Sequence, residues 1–202
     1  MPNKLTPSAA NICAVAIGHF AEHGYDASSL NEIATLAGMR KASLYAHFAS
    51  KDALFHQAFE LALVEELEHA AACFQNESLQ APGAGEVYAE RLIERYEQSA
   101  HLRFLLRTAY LPPVELRTVI TAGFERYLEQ IRLAFLEQLQ AREAWARNDV
   151  SRAEEYAEVY MAIVDSLHVE LFYASSAKCR RRSSILLRLL ADGLSLAAGQ
   201  RR

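Results

Sequence analysis

An all-α architecture is predicted for this 202-residue chain, with a three-helix head carrying a helix-turn-helix ahead of a larger helical bundle. Three observations predict it. The sequence is 51% hydrophobic and rich in leucine and alanine, with only five prolines and eight glycines, a composition that favours helices over strands. Apolar residues recur at spacings of three and four in each long segment. Finally, Leu30 to Ala49 (LNEIATLAGMRKASLYAHFA) has the spacing of two crossed helices. Ala34 is small enough for a second helix to pass closely. Gly38, four residues on, suits a left-handed turn position. Leu44, six further, lies on the inward face of the second helix, and Ile33, Ala37 and Phe48 add apolar positions.

The elements follow in order. Thr6-Pro7 reads as a cap with proline at the first helical position. Ile12, Val15, Ala16 and Phe20 form one stripe, and Gly24 ends the helix near His23. Ser29 and Glu32 have capping-box spacing. Helices are therefore predicted at about 8–23, 29–37 and 40–47. Ser50-Lys51-Asp52 starts a fourth, running to about Gln75 with Leu54, Phe55, Ala58, Leu61 and Ala62 inward, and joining a head (1–50) to a body (51–202). Residues 76–85 read as a loop. Further helices are expected at about 86–100, then one ending before Pro112-Pro113, then Val114 to Glu143 with Val119, Phe124, Leu128, Ile131 and Phe135 inward. The last two fall at about 151–175 and 183–198.

A crossed helix pair of this kind presents its second member to the DNA major groove, so double-stranded DNA is the first partner predicted. The net charge of −4 is no obstacle once it is divided along the chain. In residues 1–51 four cations face three acids, giving +1, with Arg40, Lys41 and Lys51 clustered. Residues 178–202 hold seven cations and one acid, so the stretch between carries −11. An acidic body opposes nonspecific association with DNA and confines contact to a small basic face.

The segment FAEHGYDASSLNEIATLAGMRKASLYAHFASKDALF resembles the amino-terminal region of the TetR family of transcriptional regulators. The resemblance rests on Phe20, Gly24-Tyr25, Ile33-Ala34, Ala37-Gly38, Leu44-Tyr45, His47-Phe48, Ser50-Lys51 and Leu54, and covers about residues 8–60. It implies a dimeric, ligand-responsive regulator that is released from a two-fold operator. It also implies roles for single residues. Ser28 or Ser29 anchors a phosphate, Arg40, Lys41 and Ser43 face base edges, and Tyr45, His47 and Lys51 face phosphates. The chemistry agrees: Arg and Lys pair with guanine, while hydroxyls and ammonium groups suit phosphate oxygens. Arg40 stands where the family often has a capping serine, and Ala42 replaces a frequent glycine. Both departures bear on affinity rather than fold.

Phe104, Tyr110, Phe124, Tyr127, His168 and Phe172 are candidate walls of a cavity for a small, largely apolar effector, with plain core packing as the alternative. Asp165 shares a helix face with His168 and is a candidate to orient its imidazole; the alternative for His168 is a half-exposed place at a dimer seam. The apolar helices at 151–175 and 183–198 suit a four-helix homodimer interface, or else pack within the chain. Arg180-Arg181-Arg182 reads as a solvated loop, with a salt-bridging patch or an anion entrance as alternatives.

His19-Phe20-Ala21-Glu22-His23 spells H-x-x-E-H, but Gly24 ends the helix at once and no third ligand is identifiable, so no metal is expected. No Ser-His-Asp, paired-carboxylate or phosphate-loop arrangement has credible spacing; neither an enzyme nor a cofactor is expected. Cys13, Cys73 and Cys179 are scattered and odd in number, which predicts free thiols in a reducing cytoplasm. The apolar stretch at Ile12–Phe20 is interrupted too early for a leader, and no window reaches the roughly 18 apolar residues of a membrane span. A second functional reading is a DNA-binding regulator controlled by a protein partner rather than by a small molecule.

Overall fold

The capping chemistry of the first two helices sets the geometry of the head in the computed structural model, which describes residues 5–76, 83–174 and 176–199. Helix α1 (Pro7–His23) opens with the Thr6 side chain accepting from the Ala9 amide at 3.2 Å and closes with Gly24 at φ 80°. Helix α2 (Leu30–Leu36) carries the full capping box, Ser29 and Glu32 each bonded to the other's backbone amide. Its end is a Schellman turn: Met39 N–H donates to Ala34 at 2.9 Å and Gly38 N–H to Thr35 at 3.0 Å, with Gly38 at φ 72°. Helix α3 (Lys41–Tyr45) follows, and its cap position, Arg40, makes no side-chain cap bond.

Ile33, Ala34 and Leu44 are completely buried where α2 and α3 cross, each large side chain there contributing about 1.5–3 kcal/mol through its removal from water. Helix α4 (Lys51–Asn76) follows directly. After residues 77–82, which lie outside the described residues with most of the expected 76–85 loop, come α5 (Glu86–Gln98) and α6 (Ala100–Tyr110). A single 3-10 turn (Val114–Leu116) precedes α7 (Arg117–Arg142), followed by α8 (Ala144–Asn148), α9 (Val150–Tyr173) and α10 (Ser176–Gly199). Among the described residues there is no strand, and no helix is long and apolar enough to cross a membrane.

The chain folds into two units, one of residues 1–66 with 99–124, the other of 67–98 with 125–202. In the first, α6 lies along α1, and Phe20, Phe55 and Phe104 form an aromatic core with ring centroids 4.9–5.8 Å apart. Gly123 is needed there: a Cβ at that position would stand 2.7 Å from the Phe59 ring. In the second unit, α9 packs along α10 and both meet α5. A buried polar knot joins its parts. Gln138 accepts from the Gly85 amide at 2.6 Å and donates to the Phe74 carbonyl, while the Tyr160 hydroxyl donates to the Gly85 carbonyl at 2.8 Å.

Four sequence expectations are corrected. The buried row of α7 is Ile120, Gly123, Tyr127, Ile131 and Phe135, so Val119, one residue out of phase, is 40% exposed. The expected helix from Val114 begins instead as a 3-10 turn, and α8 was not anticipated. Helix α10 starts at Ser176 rather than 183, which places Arg180–Arg182 on a helix and not in a loop. There Arg180 pairs with Glu97 at 3.2 Å, and buried Glu170 lies 3.1 Å from the Lys178 ammonium as an ion pair and accepts from Arg182. The run is therefore a salt-bridging patch, the second of the readings considered.

Candidate nucleic-acid interface

The eight polar residues expected at the DNA face fall into two groups. Arg40, Lys41, Ser43, Tyr45 and His47 are all exposed on and beside α3. They stand over Leu44 and Phe48, both buried beneath them. Lys41 Nζ lies 5.8 Å from the Tyr45 ring, and among the described residues no acidic group pairs with Arg40 or Lys41. This edge thus offers two uncompensated cations and three further hydrogen-bonding side chains within eight residues, the set that pairs with base edges and phosphate oxygens.

Ser28, Ser29 and Lys51 are committed to the fold. Ser28 is buried, its hydroxyl donating to the Gly24 carbonyl at 2.6 Å. The Ser29 hydroxyl is held by Glu32 at 2.8 Å, and these bonds keep the Glu32 carboxyl below its usual pKa range. Lys51 Nζ donates to the Tyr25 carbonyl at 2.9 Å and the Ser28 carbonyl at 3.2 Å, and sits 4.0 Å from the Tyr25 ring. Two of its three N–H donors are thereby occupied, which leaves one.

The positioning contacts of Tyr25, Asp52 and Asn11 were not legible in the sequence. Tyr25 donates its hydroxyl to Asp52, closing the turn on the start of α4. Burial, with that bond and the Asp52 charge, raises the phenol pKa. Asn11 donates to the Ala37 carbonyl at 3.2 Å, so α1 holds the end of α2. Their signal is nonlocal, lying 26–27 residues away in sequence. In the H-x-x-E-H stretch, the Nδ1 atoms of His19 and His23 are 2.9 Å apart, and His19 Nε2 is 3.6 Å from Glu32. Among the described residues no group of three His, Cys, Asp or Glu is placed to hold a metal.

The six aromatic candidates do not share one unit. Phe104, Tyr110 and Phe124 belong to the first, where Phe104 is core and Tyr110 meets Phe124 with centroids 6.5 Å apart. Tyr127, His168 and Phe172 belong to the second. There the Tyr127 hydroxyl bonds that of Tyr88 at 2.7 Å and its ring stacks on His168 at 6.2 Å. Phe172 meets Tyr173 at 4.6 Å. His168 is fully buried, not half-exposed, and burial lowers its pKa to about 3; Asp165 is exposed. A groove of about 820 Å3 in the second unit is lined by other residues, among them Phe74, Arg126, Leu133 and Gln138.

Comparison with known proteins follows the same division. Residues 12–58 match the model for bacterial regulatory proteins of the tetR family. The HTH-type negative transcriptional regulator IcaR of the biofilm operon icaADBC, from Staphylococcus aureus (strain Newman), is 46% identical over 43 residues, 21% of this chain and 23% of IcaR. The chain thus matches less than a quarter of the length of that curated relative. Similarity of fold extends much further. A tetR-family transcriptional regulator from Mesorhizobium loti MAFF303099 superposes with a TM-score of 0.65 at 19% identity, over 94% of this chain and 98% of that one. GusR of Salmonella enterica gives 0.64 at 22% identity, over 96% and 100%. A TetR-family regulator from Agrobacterium tumefaciens gives 0.66 at 19% identity, over 92% and 96%. At these identities the likeness is one of fold.

Proposed function

We infer from the chain's place in the TetR family of bacterial regulatory proteins, to which it belongs, that it is a homodimeric repressor released from its operator by a small, largely apolar effector. The observation that carries the reading is the open edge of α3: Arg40, Lys41, Ser43, Tyr45 and His47, all exposed and with both cations unspent. Residues 1–50 provide the DNA-contacting head. The rest of the chain provides dimerisation and signal sensing.

Two-fold operators require paired recognition helices about one turn of DNA apart, or multiples of it. Apolar residues left at the surface support pairing through α9 and α10: Val159, Val169 and Tyr173 on one, Ile185, Leu189 and Leu196 on the other. By contrast Tyr160, Ile163, Val164, Leu167 and Leu171 are buried within the chain, so that stripe of α9 is core and the exposed row beside it is the candidate seam. An effector need supply only about 1–3 kcal/mol of coupling to shift operator occupancy.

A second reading, control by a protein partner, draws on the tight packing of Phe104, Tyr127 and His168, all essentially inaccessible to solvent. A thermal-shift screen with apolar small molecules separates the two. Stabilisation by a ligand supports the first, and stabilisation only by a protein partner the second. The DNA face is tested by Lys41→Ala and Tyr45→Phe in fluorescence anisotropy with an operator duplex. Lys41→Ala is expected to weaken binding and, where it meets a phosphate, to reduce the salt slope by about one. Unchanged affinity and slope in both folded variants would refute the assignment.

A further inference from the structure

The α1–α2 turn and the carboxyl end of α6 enclose a pocket of about 300 Å3 that lies wholly within the first unit. Buried Phe20 and Phe55 line it, and Tyr25, Pro112 and the 58%-exposed Leu111 add apolar surface. Its cation is Arg107. The guanidinium occupies space that the absence of a side chain at Gly24 leaves open: a Cβ there would stand 3.0 Å from Nε and 3.1 Å from Nη2. Arg107 is half-buried, and among the described residues no carboxylate or other acceptor holds its guanidinium. Five rigid N–H donors partly withdrawn from water, beside an apolar wall and paired with no carboxylate among the described residues, have the chemistry of an anion-recognition site.

We propose that this pocket binds a small carboxylate with a compact apolar body. The carboxylate takes the fork of Arg107, for which planar two-point pairing is geometrically suited. The apolar body lies against Tyr25, Leu111 and Pro112. Asp26 also borders the pocket, so the occupant carries its single negative charge at Arg107 and is neutral elsewhere. The volume is at the small end of ligand sites, which selects compact acids over long amphiphiles. Tyr25 is tied to Lys51 and Asp52, and the turn it begins leads through Ser28 and Ser29 into α2. A ligand here stiffens the entry to the helix-turn-helix. It is a site separate from the proposed effector cavity, and it stands whether or not the chain binds DNA.

The test uses the full-length, isotope-labelled protein titrated with benzoate, and with benzamide as its neutral counterpart, to about 10 mM, the range where ligands of so few atoms bind. Saturable shifts are expected in the amides of Gly24–Ala27 and Arg107–Leu111, with Kd on the order of 1 mM for benzoate and at least about tenfold weaker binding of benzamide. Arg107→Gln is expected to weaken benzoate about tenfold or more and to remove its advantage over benzamide. If that variant does not fold, Leu111→Asp decides, since it adds a repelling carboxylate at an exposed rim position and is expected to abolish saturation. Absence of saturation in the wild type, equal affinity for the two probes, or unaltered benzoate binding in a folded variant overturns the proposal.

Discussion

Replacing His168 by glutamine should remove about 2 kcal/mol of acid sensitivity between pH 7.5 and 5, a figure that follows from the burial of the imidazole. The side chain is completely buried in α9 and stacks on Tyr127, and desolvation lowers its pKa from 6.5 to about 3. Below pH 6.5 the unfolded chain takes up a proton that the folded chain refuses, so stability falls as pH falls across the window from 6.5 to about 3. The loss attributable to this residue is about 1 kcal/mol at pH 6 and about 2 kcal/mol at pH 5, and it approaches about 5 kcal/mol at the bottom of the window. Urea unfolding followed through Trp145, the single tryptophan and a member of the same unit, provides the assay. Carboxylates titrate in both proteins, so their contributions cancel in the difference between wild type and variant. His168→Gln is expected to be less stable than wild type at pH 7.5 through poorer packing, with the gap shrinking by about 2 kcal/mol at pH 5. A gap that stays constant with pH would show that His168 is hydrated or protonated in the folded chain, and would refute the reasoning.

Gly38 and Gly85 have nearly the same positive φ but different surroundings, so alanine at each separates backbone strain from crowding. Gly38→Ala meets nothing within 4 Å and should cost about 1 kcal/mol, read by thermal unfolding, with Gly38→Asn milder. Gly85→Ala puts a Cβ 2.5 Å from the Tyr160 ring and should cost about 3 kcal/mol or more. Glu170→Gln leaves Lys178 and Arg182 without their shared carboxylate and should cost about 1–2 kcal/mol in low-salt urea titrations, with a smaller deficit in high salt.

Local chemistry made the head legible. Thr6-Pro7, the Ser29–Glu32 box and Gly38 act within a few residues of themselves, and each appears in the fold as the capping or turn device its residue type favours. Ala34 and Leu44 were likewise readable, because a close helix crossing needs a small residue opposite a large one. What escaped is nonlocal. Lys51 has the charge of a phosphate contact, yet two of its donors are taken by carbonyls 23 and 26 residues earlier, a partnership invisible to motif spacing. Arg180–Arg182 looked like a loop because a dense charge run suggests solvent, whereas Glu97 and Glu170 make a helix there tolerable. On α7 a glycine and a tyrosine occupy the inward row, so hydrophobicity alone pointed one residue astray to Val119. Aromatic residue type could not separate cavity wall from core, and Phe104 belongs to the core.

Selection of bound duplexes from a random DNA library by the full-length protein is the measurement closest to the central claim. The account predicts enrichment of an inverted repeat whose half-sites lie about one helical turn apart or a multiple of it, and loss of that enrichment in Arg40→Ala/Lys41→Ala. Recovery of no preferred sequence, or of the same sequences by the folded double variant, would contradict it.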